Sequence, residues 1–323
     1  MKTLLDWARA RRGVVLRQLG IVFVSVIMLC IGSYPAFSQD GQDLELSAVA
    51  LSQELLLITS SVGNRLVAID QDGLILVDGV PEQYADQYLA FVRETAGVDN
   101  IKGLILSHWH PEVAGLNAVI GAAGIPIYSH EYTRQWLAAT IRDRGDTIVH
   151  HPVPLQELPG YTFNDELSVP FRSGFIQLGH LLQAHTDGDI YVYFPEQNII
   201  YAGDVVQSDH WATPDLVSNG FLGAIVDAYE KIGLLSDQDV TVVPSSGKVL
   251  DITEFKEIHA VYKQLMTVLV AELRKSMSVE EVLALQPAEN LKPDWSNAQE
   301  FVDAGFRSLF FHLRESRHVG IMP

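Results

Sequence analysis

The segment Ser107-His108-Trp109-His110-Pro111-Glu112-Val113 holds the densest set of chemically useful side chains in the sequence. Two histidines one residue apart follow the apolar run Ile101 to Leu106. In extended chain, residues i and i+2 share a face, so His108 and His110 can aim both imidazoles at one point. Pro111 suits the first position of a helix. A strand that ends in His-x-His and turns directly into a helix suits a divalent metal at a sheet edge. Neutral imidazole is the commonest protein ligand for zinc.

Other residues extend this pattern. His185 lies in Ala184-His185-Thr186-Asp187-Gly188-Asp189, and Asp204 ends Tyr201-Ala202-Gly203-Asp204. Gly63-Asn64, the turn Asp72-Gly73 and Leu76-Val77-Asp78-Gly79 read as an entry hairpin. Together these motifs resemble the metallo-β-lactamase superfamily of hydrolases, and most of all its glyoxalase-II-like and quinoprotein-associated branches. The similarity spans roughly residues 45–315. It implies an α/β fold of the αββα type, with two mixed sheets packed face to face, helices outside and further helices at the C-terminus. It also implies that His108, His110 and His185 hold one zinc ion, with Asp204 as the bridging carboxylate.

The sequence departs from the family at three positions. Glu112 stands at the family's aspartate, Val113 at its adjacent histidine and Ser246 at its last histidine. Valine offers no lone pair, and serine is a poor zinc ligand beside imidazole or carboxylate. One zinc ion is therefore expected instead of two. The implied activity is a zinc-dependent hydrolase in which metal-bound water attacks an ester, thioester or amide-type bond of a small molecule. The alternative is a pseudoenzyme that keeps the fold, with or without one metal, as a binding module.

Individual residues carry paired readings. Asp204 ligates the metal or orients and deprotonates its water, or else is a turn residue after Gly203. Glu112 reaches one methylene further than aspartate, toward the metal or its water. Otherwise it is a solvated first-turn acid favoured by the helix dipole. His210, in the loop after Asp204, is either a substitute ligand or simply exposed. Asp78 is expected to hydrogen-bond a metal-binding histidine, and Asp187 and Asp189 to position His185. His130 reads as a helix start, while His150, His151 and His180 are assigned no chemistry. Trp109 and Trp211 read as packing or pocket lining.

The elements that must position these groups follow from periodicity. Alternation from Leu46 to Ile58, then at Arg65–Ile69 and Leu74–Val77, predicts an antiparallel start. Helices are predicted over 81–95, 111–123, 131–142, 224–235, 253–277, 279–285 and 298–317. Strands are predicted at 101–106, 125–128, 174–183, 190–194, 198–201 and 240–243, and residues 146–165 read as a long crossing loop. Leu265, Val268, Leu269, Leu273, Phe301, Phe306, Leu309 and Phe310 are expected to cover the second sheet.

The first 38 residues differ from the rest. Lys2, Arg9, Arg11, Arg12 and Arg17 precede an uncharged run from Gln18 to Ser38 that ends in Ala36-Phe37-Ser38. This is the pattern of a signal peptide, or of an uncleaved inner-membrane anchor. Export to a bacterial periplasm is expected, with residues 39–323 forming one domain, its core at about 45–250 and a helical part from 251. Without residues 1–38 the chain keeps 17 Lys+Arg and 39 Asp+Glu, a formal charge of −22. That acidity argues against nucleic acid or an anionic membrane as partner. Cys30 is the only cysteine and lies in this leader, so the exported part can form no internal disulfide.

Overall fold

A computed structural model describes residues 43–143, 145–235 and 239–319. The expected signal peptide of residues 1–38 lies outside them. Strands β1 (Ser47–Ala50), β2 (Leu55–Ser60), β3 (Gly63–Ile69) and β4 (Leu74–Val77) form an antiparallel meander. Helix α1 (Ala85–Ala96) then returns the chain to β5 (Ile101–Ile105), parallel to β4. The short helices α2 (Pro111–Ala114) and α3 (Asn117–Ala122) lead to β6 (Ile127–His130), parallel to β5. After α4 (Glu131–Leu137) come a small hairpin, β7 (Ile141–Arg142) and β8 (Ile148–His150), and then β9 (Tyr161–Phe163) beside β6.

A second sheet runs in sequence order through β10 (Glu166–Phe171), β11 (Gly174–His180), β12 (Ile190–Phe194), β13 (Ile199–Tyr201), β14 (Thr241–Val243) and β15 (Leu250–Asp251). Helix α5 (Leu222–Leu234) links β13 to the parallel β14. Four helices follow: α6 (Ile252–Arg274), α7 (Val279–Leu283), α8 (Pro287–Leu291) and α9 (Ala298–Val319). No helix among the described residues is long and apolar enough to cross a membrane.

Side-chain alternation explains the layering. In β2, Leu55 and Leu57 face the second sheet, whereas Ile58 faces the layer of α1. In β4, Ile75 and Val77 face inward while Leu74 and Leu76 pack with Tyr88, Leu89 and Val92 of α1. Sheets apolar on both faces must be covered on both sides. Across the gap, Ile176, Leu178, Val192, Phe194 and Tyr201 complete the central layer. Beyond it Tyr191 and Ile200 pack with Tyr229, Phe255, Tyr262, Leu265 and Phe301 from α5, α6 and α9. The fold is an αββα sandwich.

Several element boundaries differ from the sequence reading. The alternation from Leu46 to Ile58 is two strands, because Ser52 and Glu54 break it with a turn in which the Ser52 hydroxyl accepts from the Glu54 amide at 3.1 Å. Residues 146–165 are not one loop. They carry β8, a 3-10 turn at Leu155–Glu157 and β9, the edge strand of the first sheet. Pro152, Pro154 and Pro159 hide any alternation there, and pairing to β6 alone makes β9 a strand. Phe310 does not cover the second sheet; it is 50% exposed on α9. Trp211 is fully buried, stacked on Phe301, and is packing.

One contact fixes how the two sheets meet at their functional end. Gly203, just after β13, has φ of +52°, and a Cβ there would come within 2.7 Å of the Ser107 Cβ and Oγ. Both the left-handed backbone and the close approach require glycine. Gly203→Ala is expected to cost about 1–3 kcal/mol in urea unfolding. A variant as stable as the parent would show that this approach carries no constraint.

Candidate metal centre

The strand β5 stops at Ile105, and a short tether carries the chain to the histidines. Leu106 donates to the Tyr128 carbonyl at 2.9 Å, and the Ser107 amide donates to Asp78 Oδ1 at 2.6 Å. His110 is the extended residue before α2, with φ −61° and ψ 148°, so Pro111 opens the helix as its ring allows. His185 lies in the loop between β11 and β12, and Asp204 on a 3-10 turn after β13. The ligand atoms of His108, His110 and His185 all lie within 4.8 Å of one another, as do those of His108, Glu112 and Asp204.

Hydrogen bonds behind each ring decide which nitrogen faces the centre. The Ser107 hydroxyl gives its proton to Asp78 Oδ2 at 2.6 Å, so its oxygen accepts from His108 Nδ1 at 3.0 Å. His108 Nε2 is then a bare lone pair, buried and without any partner. Asp215 Oδ2 accepts from His110 Nε2 at 3.1 Å, leaving Nδ1 to face the centre. The Thr213 carbonyl, which can only accept, takes a hydrogen bond from His185 Nδ1 at 2.7 Å and leaves Nε2 to face the centre. His185 Nε2 and His110 Nδ1 face each other at 3.1 Å. Two lone pairs at that separation would repel, so a proton or a metal cation must lie between them.

This donor set fits zinc. Two nitrogens each about 2.0–2.1 Å from a tetrahedral zinc stand about 3.3 Å apart, close to the observed spacing. Carboxylate and carbonyl acceptors behind metal-bound imidazoles are the usual way to fix the tautomer. Asp204 Oδ2 lies 3.9 Å from His108 Nε2 and 4.0 Å from His185 Nε2. Burial opposes its charge, but His108, His185, a hydrogen bond from Ser245 and Arg65 hold it ionised well below the usual carboxylate range. Glu112 Oε1 is 3.5 Å from His110 Nδ1, with its side chain 44% exposed. Burial pushes its pKa up, and the His110 hydrogen bond outweighs this and brings it to about 2.

Two positions of the family's second set of ligands have no equivalent donor here, whereas Glu112 and Asp204 keep theirs. Val113 is fully buried, and the Ser246 hydroxyl is committed to Asp209 Oδ2 at 3.0 Å. His210 belongs to the same arm, with Nδ1 2.7 Å from Asp209 Oδ1. It is absent from the groups whose ligand atoms converge. His130 caps α4 by accepting from the Tyr132 amide, and stacks on His180 at 3.7 Å. Asp189 accepts from the Thr186 amide and hydroxyl beside His185. Asp187 instead accepts from Trp136 Nε1 and Asn219. Trp109 is buried edge-on to His110 and stacked near Trp136.

Sequence reasoning missed Asp215, Thr213 and Arg65. Asp215 also accepts from the Ser218 hydroxyl, and its own amide donates to the His185 carbonyl at 2.7 Å. Nothing in the sequence distinguishes Asp215 among 40 acidic residues. Arg65 did leave a signal, as a charge inside the apolar strand of β3.

Metal binding and protonation compete at His110. Burial opposes charging its imidazole, but hydrogen bonds to Asp215 and Glu112 outweigh burial and raise the metal-free pKa from 6.5 to about 10. His108, by contrast, is pushed down to about 3 by burial. The His110 contribution to stability is therefore complete below pH 6.5 and lost as pH rises through about 10. Zinc binding at pH 8 is expected to release about one proton per ion from His110, beyond that lost by zinc-bound water, read from the buffer dependence of the calorimetric heat. Asp215→Asn should reduce that release and weaken zinc about 10- to 100-fold. Release near zero in the parent chain would show that Asp215 and Glu112 do not hold this proton.

Comparison with known proteins agrees with the geometry. A sequence model of the metallo-beta-lactamase superfamily matches residues 63–264. The metallo-beta-lactamase from Pontibacter korlensis superposes with a TM-score of 0.54 at 17% identity, covering 68% of this chain and 99% of its own. The DIM-1 metallo-beta-lactamase gives 0.52 at 19% identity, covering 69% and 98%. Identities this low carry the fold and no substrate. With the family match spanning both sheets, the chain belongs to the metallo-beta-lactamase superfamily.

Proposed function

We propose that this chain is an exported, zinc-dependent hydrolase that works with a single ion on an ester, thioester or amide-type bond of a small molecule. The observation that carries the reading is the convergence of three imidazole nitrogens, each with its other nitrogen engaged behind it. Export to the periplasm is supported by the basic, then uncharged, leader and by the absence of cysteine after Cys30. Acidity of the remaining chain argues for a small-molecule partner over nucleic acid or an anionic membrane.

His108, His110 and His185 would hold the ion, with Asp204 beside them. Zinc so held supplies Lewis acidity and lowers the pKa of bound water to about 7. Asp204, kept ionised, would orient water at the centre. Glu112 sits at the exposed edge of the same group, where its carboxylate Oε1 can pass a proton between the centre and the leaving group or solvent. A second reading, a binding protein that keeps the ion without turnover, is favoured by Val113 and Ser246.

Metal analysis of the purified chain is expected to give close to one zinc, lost in His110→Ala. A chain that stays metal-free at neutral pH in excess zinc would sink the hydrolase reading. With zinc bound, a panel of ester, thioester and β-lactam substrates tests catalysis. Glu112→Gln is expected to lower kcat about 100-fold or more with zinc content unchanged. Zinc binding with no turnover of any substrate class would decide for the binding protein.

A further inference from the structure

Arg65 is a buried charge with no direct ion pair among the described residues. It lies in β3 with 2% of its surface exposed. Its guanidinium donates to four main-chain carbonyls: Gly79 from Nε, Asn64 from Nη1 at 2.7 Å, and Val62 and Glu112 from Nη2 at 3.1 and 2.9 Å. Carbonyls satisfy the donors but carry no formal charge, and a buried cation needs compensation.

That compensation comes from Asp78 and, at the metal centre, from Asp204. Gly79 follows Asp78 directly, and the Tyr201 hydroxyl contacts both Asn64 O at 3.1 Å and Asp78 Oδ2 at 2.8 Å. Glu112, whose carbonyl Arg65 holds, places its carboxylate within 4.8 Å of that of Asp204. Burial opposes the guanidinium charge, and Tyr201, Asp78 and Asp204 more than restore it. On this same side of the centre Val113 and Ser246 offer a metal nothing.

Granted a zinc ion on His108, His110 and His185, we propose that Arg65 is a positioning residue. Its permanent guanidinium supplies the positive charge that a second metal would otherwise bring to Asp204 and Glu112, and so fixes the centre at one ion. Two dipositive ions alone would balance the four carboxylates Asp78, Glu112, Asp204 and Asp215. With Arg65 already in place, one ion leaves the group a single charge negative, whereas a second would turn a balanced buried site into one with surplus positive charge.

The test reads zinc affinity by competition with a chromogenic chelator and stoichiometry by native mass spectrometry. Arg65→Met removes a like charge beside the ion and is expected to tighten zinc about tenfold or more while lowering stability to urea. Arg65→Lys keeps the charge and should leave zinc affinity near that of the parent. Affinity unchanged or lowered in folded Arg65→Met would mean that Arg65 only braces the backbone, and would overturn the proposal. Ser246→His, at a half-buried position, serves if Arg65→Met does not fold. It restores a donor on the second side, yet with Arg65 intact the chain should still bind one zinc in excess metal. Two ions in that variant, or in the parent, would overturn the proposal. A parent chain that binds no zinc would instead remove the hydrolase reading, before any Arg65 variant is compared.

Discussion

The arrangement depends on a single buried carboxylate. Asp78 ends β4 in the left-handed region, at φ +60°, and is fully enclosed. It accepts from the Ser107 amide, the Ser107 hydroxyl and the Tyr201 hydroxyl. Ser107 belongs to the β5 tether and Tyr201 to β13 of the other sheet, so three strand ends converge on one group. Burial pushes its pKa up, while Arg65 and the three donors work against burial and keep the carboxylate able to accept. An acceptor of this kind cannot be replaced by an amide without reversing at least one hydrogen bond. The tautomer of His108 is thus set two bonds away, by an aspartate that never approaches the metal.

The same logic governs the other two rings with different partners. His110 is fixed by a carboxylate and His185 by a main-chain carbonyl. All three acceptors lie on the far side of their rings, so the atoms turned toward the centre are imidazole nitrogens and carboxylate oxygens that need a shared proton or a cation. Such a site is uncomfortable without a cation, which is the physical meaning of the raised His110 and the depressed Asp204. Mutual repulsion among fixed acceptors converts the folding energy of the sandwich into affinity for positive charge.

Much of this was legible in the sequence, for identifiable reasons. His-x-His between an apolar strand and Pro111 depends only on local geometry, and the double-sided strands announce a sheet covered on both faces. His185 and Asp204 were legible only through the family resemblance of their motifs, because 75 or more residues separate them from His110. Asp215 was illegible, since its role depends on a loop folding back over 105 residues to reach His110. Thr213 acts through its carbonyl, which every residue possesses. The strand β9 was hidden for a related reason, as its pairing comes from a neighbour and its own sequence shows no alternation. Arg65 was visible but unread, because an arginine within an apolar strand states that compensation exists without saying where.

Asp215 has a further implication. Its side chain holds His110 while its amide holds the carbonyl of His185, so one residue of the 213–220 segment grips two metal-facing loops at once. Among its described residues, the hairpin of β7 and β8 reaches toward the centre through His150 against Trp109, which lies edge-on to His110. Evolution is therefore given unequal freedom around the mouth of this site. Changes in length or composition at the hairpin can reshape what enters while the ligand rings keep their tautomers. An insertion beside Asp215 would disturb two ligands together. Variation among close relatives should accordingly concentrate on one rim and leave the other nearly constant.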